Sequence, residues 1–305
     1  MKNINKLYSL AIAVLIGTSC TEDANFPQEQ EMNNTLQIQA SVNDYPEEAK
    51  AIVTGNALAS GSNIGVTFLN SSDGYYDSKT YNNIKFNYNG STWTGASSIL
   101  LSPTVGKVYA YYPWVSGANI AAIAMTASTK VASNGTDYMY ATPVSNITQT
   151  ARTANLSMNH ALSAVTITVK KGTYTGTGKV TAFTWKSATA GTSGTLNAKT
   201  GAITNTAGGN TAFDSGLTTS SYLTIGSGTS YQFMVVPTGS AGTVTFSLTM
   251  DGQTYSATTS SSMTFAKGNN YTFTLTLDAK QMSLGGVTVS GWTPQTGGSY
   301  VPSRT

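Results

Sequence analysis

The 305-residue chain has one cysteine, one histidine and two arginines, and only 10% of its residues are charged. A lone thiol excludes an internal disulfide. One histidine and one cysteine cannot supply the usual zinc or transition-metal ligand sets. Glutamate is absent beyond Glu48, where the acids are Asp73, Asp77, Asp137, Asp214, Asp251 and Asp278. Asp251 is explained by a turn and Asp278 by a strand end, which leaves little for a paired-carboxylate hydrolase. No nucleophile elbow is present, and the Gly-rich pieces 172–178 and 208–209 lack a phosphate-loop lysine. Past residue 20 no apolar run is long enough to cross a bilayer as a helix. No cofactor and no metal site is expected, and catalysis is not the expected function.

The N-terminus is more informative. Lys2 and Lys6 precede an apolar run at 7–16, then Gly17, Thr18, Ser19 and Cys20. That is the layout of a secretory signal peptide, and the run is too short for a permanent span. A cysteine directly behind the small residues is expected to accept lipid and become the new N-terminus, tethering an exported chain to a membrane. The segment resembles a bacterial lipoprotein signal, although Gly17 stands where a large aliphatic residue is usual. The alternative is an ordinary signal peptide in which Cys20 is incidental. Losing Lys2 and Lys6 takes the formal charge from +3 to about +1, too little for a nucleic-acid-binding patch.

Residues 21–35 carry four acids and Pro27 and read as a flexible tether. From Leu36 a period of two takes over. Leu36, Ile38, Ala40 and Val42 alternate with polar residues, as do Ile64, Val66 and Phe68, and Val108, Ala110, Tyr112 and Trp114. After a polar, Ala-rich stretch at 116–137 the alternation returns at Val165–Val169, Phe183–Trp185, Tyr231–Val235, Val244–Met250 and Tyr271–Leu277. Asn89-Gly90 and Asp251-Gly252 mark hairpins. Strands with one apolar face must pack against a second sheet, so an all-β fold of sandwiches is expected. The boundary between two strand series is placed near Ser157–His160, giving domains at 36–158 and 159–305.

Four segments together resemble the fimbrillin family, the type V pilus subunits of Bacteroidota. They are AIVTGNALASGSNIGVTF at 51–68, YAYYPW at 109–114, MNHALSAVTITVKKG at 158–172 and NYTFTLTLDAKQMSLGGVTVSGWTPQ at 270–295. The acids Glu22 and Asp23 after Cys20 also look like a surface-export signal of that group. The resemblance implies two tandem transthyretin-like β-sandwich domains and an outer-membrane or cell-surface location. It further implies a lipoprotein precursor that polymerises into an extracellular fimbria serving cell adhesion. In that scheme a maturation protease removes the first strand, and a strand from another fimbrial subunit fills the vacated groove. Leu36, Ile38, Ala40 and Val42 then belong to the displaced strand, and Val287, Val289 and Trp292 to the donated one. Permanent membership of its own sandwich is the alternative for each.

Many relatives are cut after an arginine, but neither Arg152 nor Arg304 lies near the first strand. Lys50, the only basic residue between Cys20 and Lys79, is the candidate cleavage position; its other reading is a solvated loop lysine. His160 is expected to be structural, and Asp73 with Asp77 to form a polar loop rather than a calcium site. The rival function is a non-polymerising surface lipoprotein that binds glycan or a host surface protein. Its candidate residues are Tyr75, Tyr76, Tyr109, Tyr111, Tyr112 and Trp114, whose rings either stack on sugars or fill the core.

Overall fold

The computed structural model describes residues 34–43, 58–131, 136–206, 209–226, 228–278 and 281–291. Cys20, Lys50 and Trp292 lie outside these residues. Every helix or strand element among the described residues is a strand, so the all-β expectation holds.

In the first half the strands are β1 (Gln37–Val42), β2 (Asn63–Asn70), β3 (Tyr81–Tyr88), β4 (Trp93–Gly95), β5 (Gly106–Tyr112), β6 (Ile123–Thr126), β7 (Met139–Ala141), β8 (Val144–Ile147) and β9 (Thr153–His160). All except β6 join one eight-stranded sheet in the order β1-β9-β7-β5-β2-β3-β4, with β8 also pairing β5. A sheet this wide accumulates twist and curls. It encloses a core that includes Leu36, Ile38, Ile64, Val66, Phe68 and Leu156.

The second half contains β10 (Ser163–Lys171), β11 (Lys179–Ser187), β12 (Ser193–Asn197), β13 (Ala202–Asn205), β14 (Ala212–Asp214), β15 (Leu223–Thr224), β16 (Thr229–Val235), β17 (Val244–Met250), β18 (Gln253–Thr258), β19 (Asn269–Leu277), β20 (Met282–Leu284) and β21 (Thr288–Gly291). One sheet runs β16-β10-β19-β20, with β21 also on β19, and another runs β14-β11-β17-β18, with β15 on β11. Their alternating apolar residues interdigitate, as period-two strands require. Phe183 meets Tyr231, and Phe246 meets Phe273, with ring centroids 5.1 Å apart in each pair.

A third apolar cluster links the two halves. Tyr111, Ile123 and Met125 pack there with Leu162, Leu196 and Met234. β6 pairs with β12, which pairs with β13, so one small sheet draws strands from both sides of residue 158. The Ala-rich stretch at 116–137 was not expected to hold a strand, and the short alternation Ile123–Met125 was its signal. β9 runs through residue 158 to His160, which ends that strand rather than starting the next. The glycine of the Ile64-Gly65-Val66 segment also has a physical cause. A Cβ there would sit 2.2 Å from the Tyr111 ring, so the strand needs glycine to admit that ring.

The expected hairpins are present. Asp251 and Gly252 have φ of 48° and 79° and join β17 to β18 with Met250 opposite Gln253, the left-handed pair of a two-residue turn. The Asp251 carboxylate also pins the loop before β11. It accepts hydrogen bonds from the Tyr174 hydroxyl (2.8 Å), the Thr177 hydroxyl and the N–H groups of Gly178 and Lys179 (2.9 Å each). Burial opposes the charge, but these donors outweigh it and hold the pKa far below the usual carboxylate range. A depressed pKa stabilises the fold above the unfolded value of about 4, and that contribution fades as the pH falls toward the folded pKa. Asp251→Asn keeps the turn and loses the charge. Urea denaturation should therefore show a stability gap from wild type at pH 7 that narrows at pH 3.

Candidate functional site

Two sheet edges carry the residues singled out for strand exchange. β1 is an edge strand, paired in parallel with β9 from Gln37↔Thr153 to Val42↔Met158. Leu36, Ile38 and Val42 are buried at 6%, 6% and 3% exposure, and Ala40 is half-buried against the same core. Gln37, Gln39 and Ser41 point to solvent. Burying three large aliphatic side chains is worth about 5–9 kcal/mol gross, an upper estimate because the unfolded chain is already partly collapsed. Polar ties are added by Asn43, whose amide donates to Asn159 Oδ1 (2.8 Å) and whose carbonyl oxygen accepts from the Ser157 hydroxyl.

β21 is held differently. It pairs antiparallel with the first part of β19, from Asn269↔Gly291 to Thr272↔Thr288. Val289 is 53% exposed. Thr288 and Ser290 are exposed as well, and Val287, just ahead of the strand, is half-buried against the core. Retention therefore rests mainly on backbone hydrogen bonds at about 0.5–1.5 kcal/mol each. Ordering each residue costs about 1–2 kcal/mol, so β21 is marginal where β1 is not. The sheet places both edges within the described residues, and Trp292 falls just beyond them.

The polar candidates are structural in their contacts. His160 Nδ1 lies 2.8 Å from Asp137 Oδ2, with both side chains buried, tying β9 to the approach of β7. Asp73 accepts from the Tyr109 hydroxyl (2.6 Å) and Lys107 (3.1 Å), which hold its pKa below the ordinary value, and Lys199 lies 3.6 Å away. Asp77 accepts instead from the Thr104 hydroxyl at 2.8 Å. Lysines beside Asp73 are the wrong company for a cation. Among the described residues no three His, Cys, Asp or Glu side chains group so as to hold a metal.

The aromatic candidates separate by burial. Tyr76, Tyr109 and Tyr111 are 0%, 3% and 1% exposed. β5 is covered on both faces, by the first core at Val108 and Ala110 and by the shared cluster at Tyr111. The Tyr109–Tyr111 set thus covers a second interior surface and offers no platform to a sugar. Tyr75 remains 66% exposed, and Trp114 lies beneath Lys85 Nζ, 4.9 Å from its ring.

The chain is thus all-β, with a parallel, apolar first strand and a weakly held last strand. Comparison with known proteins makes the assignment definite: residues 50–292 match the family described as fimbrillin-like, and the chain belongs to that family. This places it among cell-surface fimbrial and adhesion proteins. Solved structures share the fold. A candidate cell adhesion protein from Bacteroides ovatus ATCC 8483 aligns at TM-score 0.66 and 16% identity, over 86% of this chain and 98% of its own. One from Bacteroides uniformis ATCC 8492 aligns at 0.63 and 20%, over 86% and 100%. One from Parabacteroides distasonis ATCC 8503 aligns at 0.52 and 10%, over 86% and 98%. Among curated proteins none matches.

The two edges should respond differently to truncation of their side chains. Ile38→Ala is expected to lower the unfolding free energy by about 2–4 kcal/mol. Val289→Ala should change it by less than about 0.5 kcal/mol. Equilibrium urea unfolding of both variants measures the contrast.

Proposed function

We propose that the chain is the lipoprotein precursor of a fimbrial subunit that polymerises by strand exchange. Lipid on Cys20 carries it to the outer surface, and a maturation protease cuts after Lys50, releasing β1. A strand from another subunit then restores the ladder on β9 and refills the apolar trough. The segment 287–292 is the donor, leaving its weak place on β19. Two tandem domains, 36–158 and 159–305, are the working organisation, with the small shared sheet between them.

The observation that carries this reading is the contrast between the edges. β1 fills its groove with Leu36, Ile38 and Val42, whereas β21 exposes Val289. Removing a strand of the first kind leaves unpaired backbone beside an apolar trough, a strong acceptor for an extended segment. A strand of the second kind leaves its own sheet at little cost. The alternative of a non-polymerising lipoprotein that binds glycan or a host protein loses its Tyr109–Tyr111 platform to the interior.

Digestion of the purified chain with a lysine-specific protease tests the scheme. An early cut after Lys50 should be followed by multimers that dissociate on heating. Lys50→Gln should prevent both, and truncation after Gly286 should leave the cut while abolishing the multimers. Multimers whose subunits retain residues 21–50 would contradict it.

A further inference from the structure

The trough that β1 fills has a size pattern of its own. On β9 the buried residues facing it are Ala154, Leu156 and Met158. Across the parallel ladder Ile38 lies opposite Ala154, Ala40 opposite Leu156 and Val42 opposite Met158. A large side chain thus meets a small one, then a small one meets a large one, as dense packing requires. Ala40 stands where Leu156 already takes the space. Ahead of these three comes Leu36, whose N–H donates to the Ile99 carbonyl at 2.9 Å. Gln37, Gln39 and Ser41 lie between and face solvent.

The end of the chain repeats that pattern in sequence. Val287, Val289, Gly291 and Thr293 alternate with Thr288, Ser290 and Trp292. Laid in the register of β1, Val287 takes the place of Leu36, and Val289 that of Ile38 opposite Ala154. Gly291 takes the place of Ala40 opposite Leu156, and Thr293, close to valine in shape, that of Val42. Trp292 falls at the outward position of Ser41, where solvent leaves room for its bulk. Pro294 falls at Asn43, whose N–H donates to the Met158 carbonyl (2.8 Å). Proline has no N–H to give, so the paired run ends there. Other registers fit worse. A slip of one residue turns Thr288 and Ser290 into the trough. A slip of two in one direction sets Val289 against Leu156 and overpacks it. In the other direction Gly291 replaces Ile38 opposite Ala154 and leaves a cavity.

The attachment of the tail decides which copy it can serve. Leu284 lies opposite Leu275 and Thr288 opposite Thr272, so β20 and β21 follow one edge of β19 with one extra residue between them. That bulge falls at Gly285-Gly286 and divides the edge. β20 keeps its side-chain hold through buried Met282, and the Gly285 N–H donates to the Thr274 carbonyl at 2.9 Å. Two residues of chain from Gly285 to Val287 reach at most about 7 Å. Leu36 lies in the first core, at the end of β9 that starts beside Arg152. From there β9 runs about 23 Å to His160 before the second half begins. With β20 in place, the tail is too short to fill its own groove.

We infer that the groove vacated by β1 takes residues 287–293 of a second copy of this chain in the register of β1, with Gly291 seated against Leu156 as the specificity-determining contact. The chain is then complementary to itself and serves as a repeating subunit. The inference rests on the strand-exchange reading above. Cys20 lies in the segment that the cut removes, so introduced cysteines are the only thiols left. One batch carrying Ala154→Cys is mixed with another carrying Val289→Cys; both are cut after Lys50, checked by intact mass and oxidised. Multimers joined by a reducible cross-link are expected, whereas Leu156→Cys in place of Ala154→Cys, which reports the slipped register, should give none. Gly291→Val, at a sheet edge outside both cores, should lower multimer yield roughly tenfold or more without affecting the cut. Cross-linking through Leu156→Cys, multimers with no cross-link to Ala154→Cys, or indifference to Gly291→Val would overturn the inference. A cut chain without these substitutions that forms no multimers would overturn the strand-exchange reading itself.

Discussion

The parallel ladder between β1 and β9 is the constraint on which the first half depends. β1 enters the structure by a single edge, yet it places Leu36, Ile38 and Val42 into a core already built by β2, β3 and β5. Without it, that core has no lid on the β9 side. The strand is separated from β2 by residues 43–62, so its attachment is made by packing and ladder bonds rather than by a short turn. A strand held so strongly by its side chains could be matched only by a segment with an equivalent apolar face.

The second constraint is how the two halves meet. β5 is buried on both faces, and the face carrying Tyr111 packs into the cluster shared with Leu162, Leu196 and Met234. Two further contacts cross the same region: Lys199 approaches Asp73, and Lys267 Nζ lies 4.7 Å from the Tyr140 ring centre. β9 continues through Ala161 and Leu162 directly into β10, so the strand that carries β1 also leads into the second core. The buried His160–Asp137 contact ties the end of β9 to the segment before β7 at that junction.

Much of the fold was legible in the sequence because its strands have one buried face. The alternation at Tyr271–Leu277 and Val244–Met250 translated directly into β19 and β17, and Asp251-Gly252 into the turn after β17. What alternation could not supply was the covering of a second face. Tyr109 and Tyr111 looked available to a ligand because a period-two reading assigns only one face to the core. β6 was hidden for the opposite reason: four residues in an Ala-rich stretch give too short a pattern to register. The approach of β1 to β4 was illegible because residues 35–39 and 91–99 are brought together by tertiary curling of the sheet alone. The exposure of Val289 was equally invisible, since the residue alternates like a core position.

The central claim is that the first strand is held largely by side-chain burial and the last mainly by backbone pairing. Amide hydrogen exchange on the uncleaved chain tests it most directly, because protection reports the free energy of local opening. The account predicts that amides of residues 37–42 exchange as slowly as those of β5, while amides of residues 288–291 exchange like a fraying terminus. Equal protection of the two segments, or faster exchange in β1 than in β21, would contradict it.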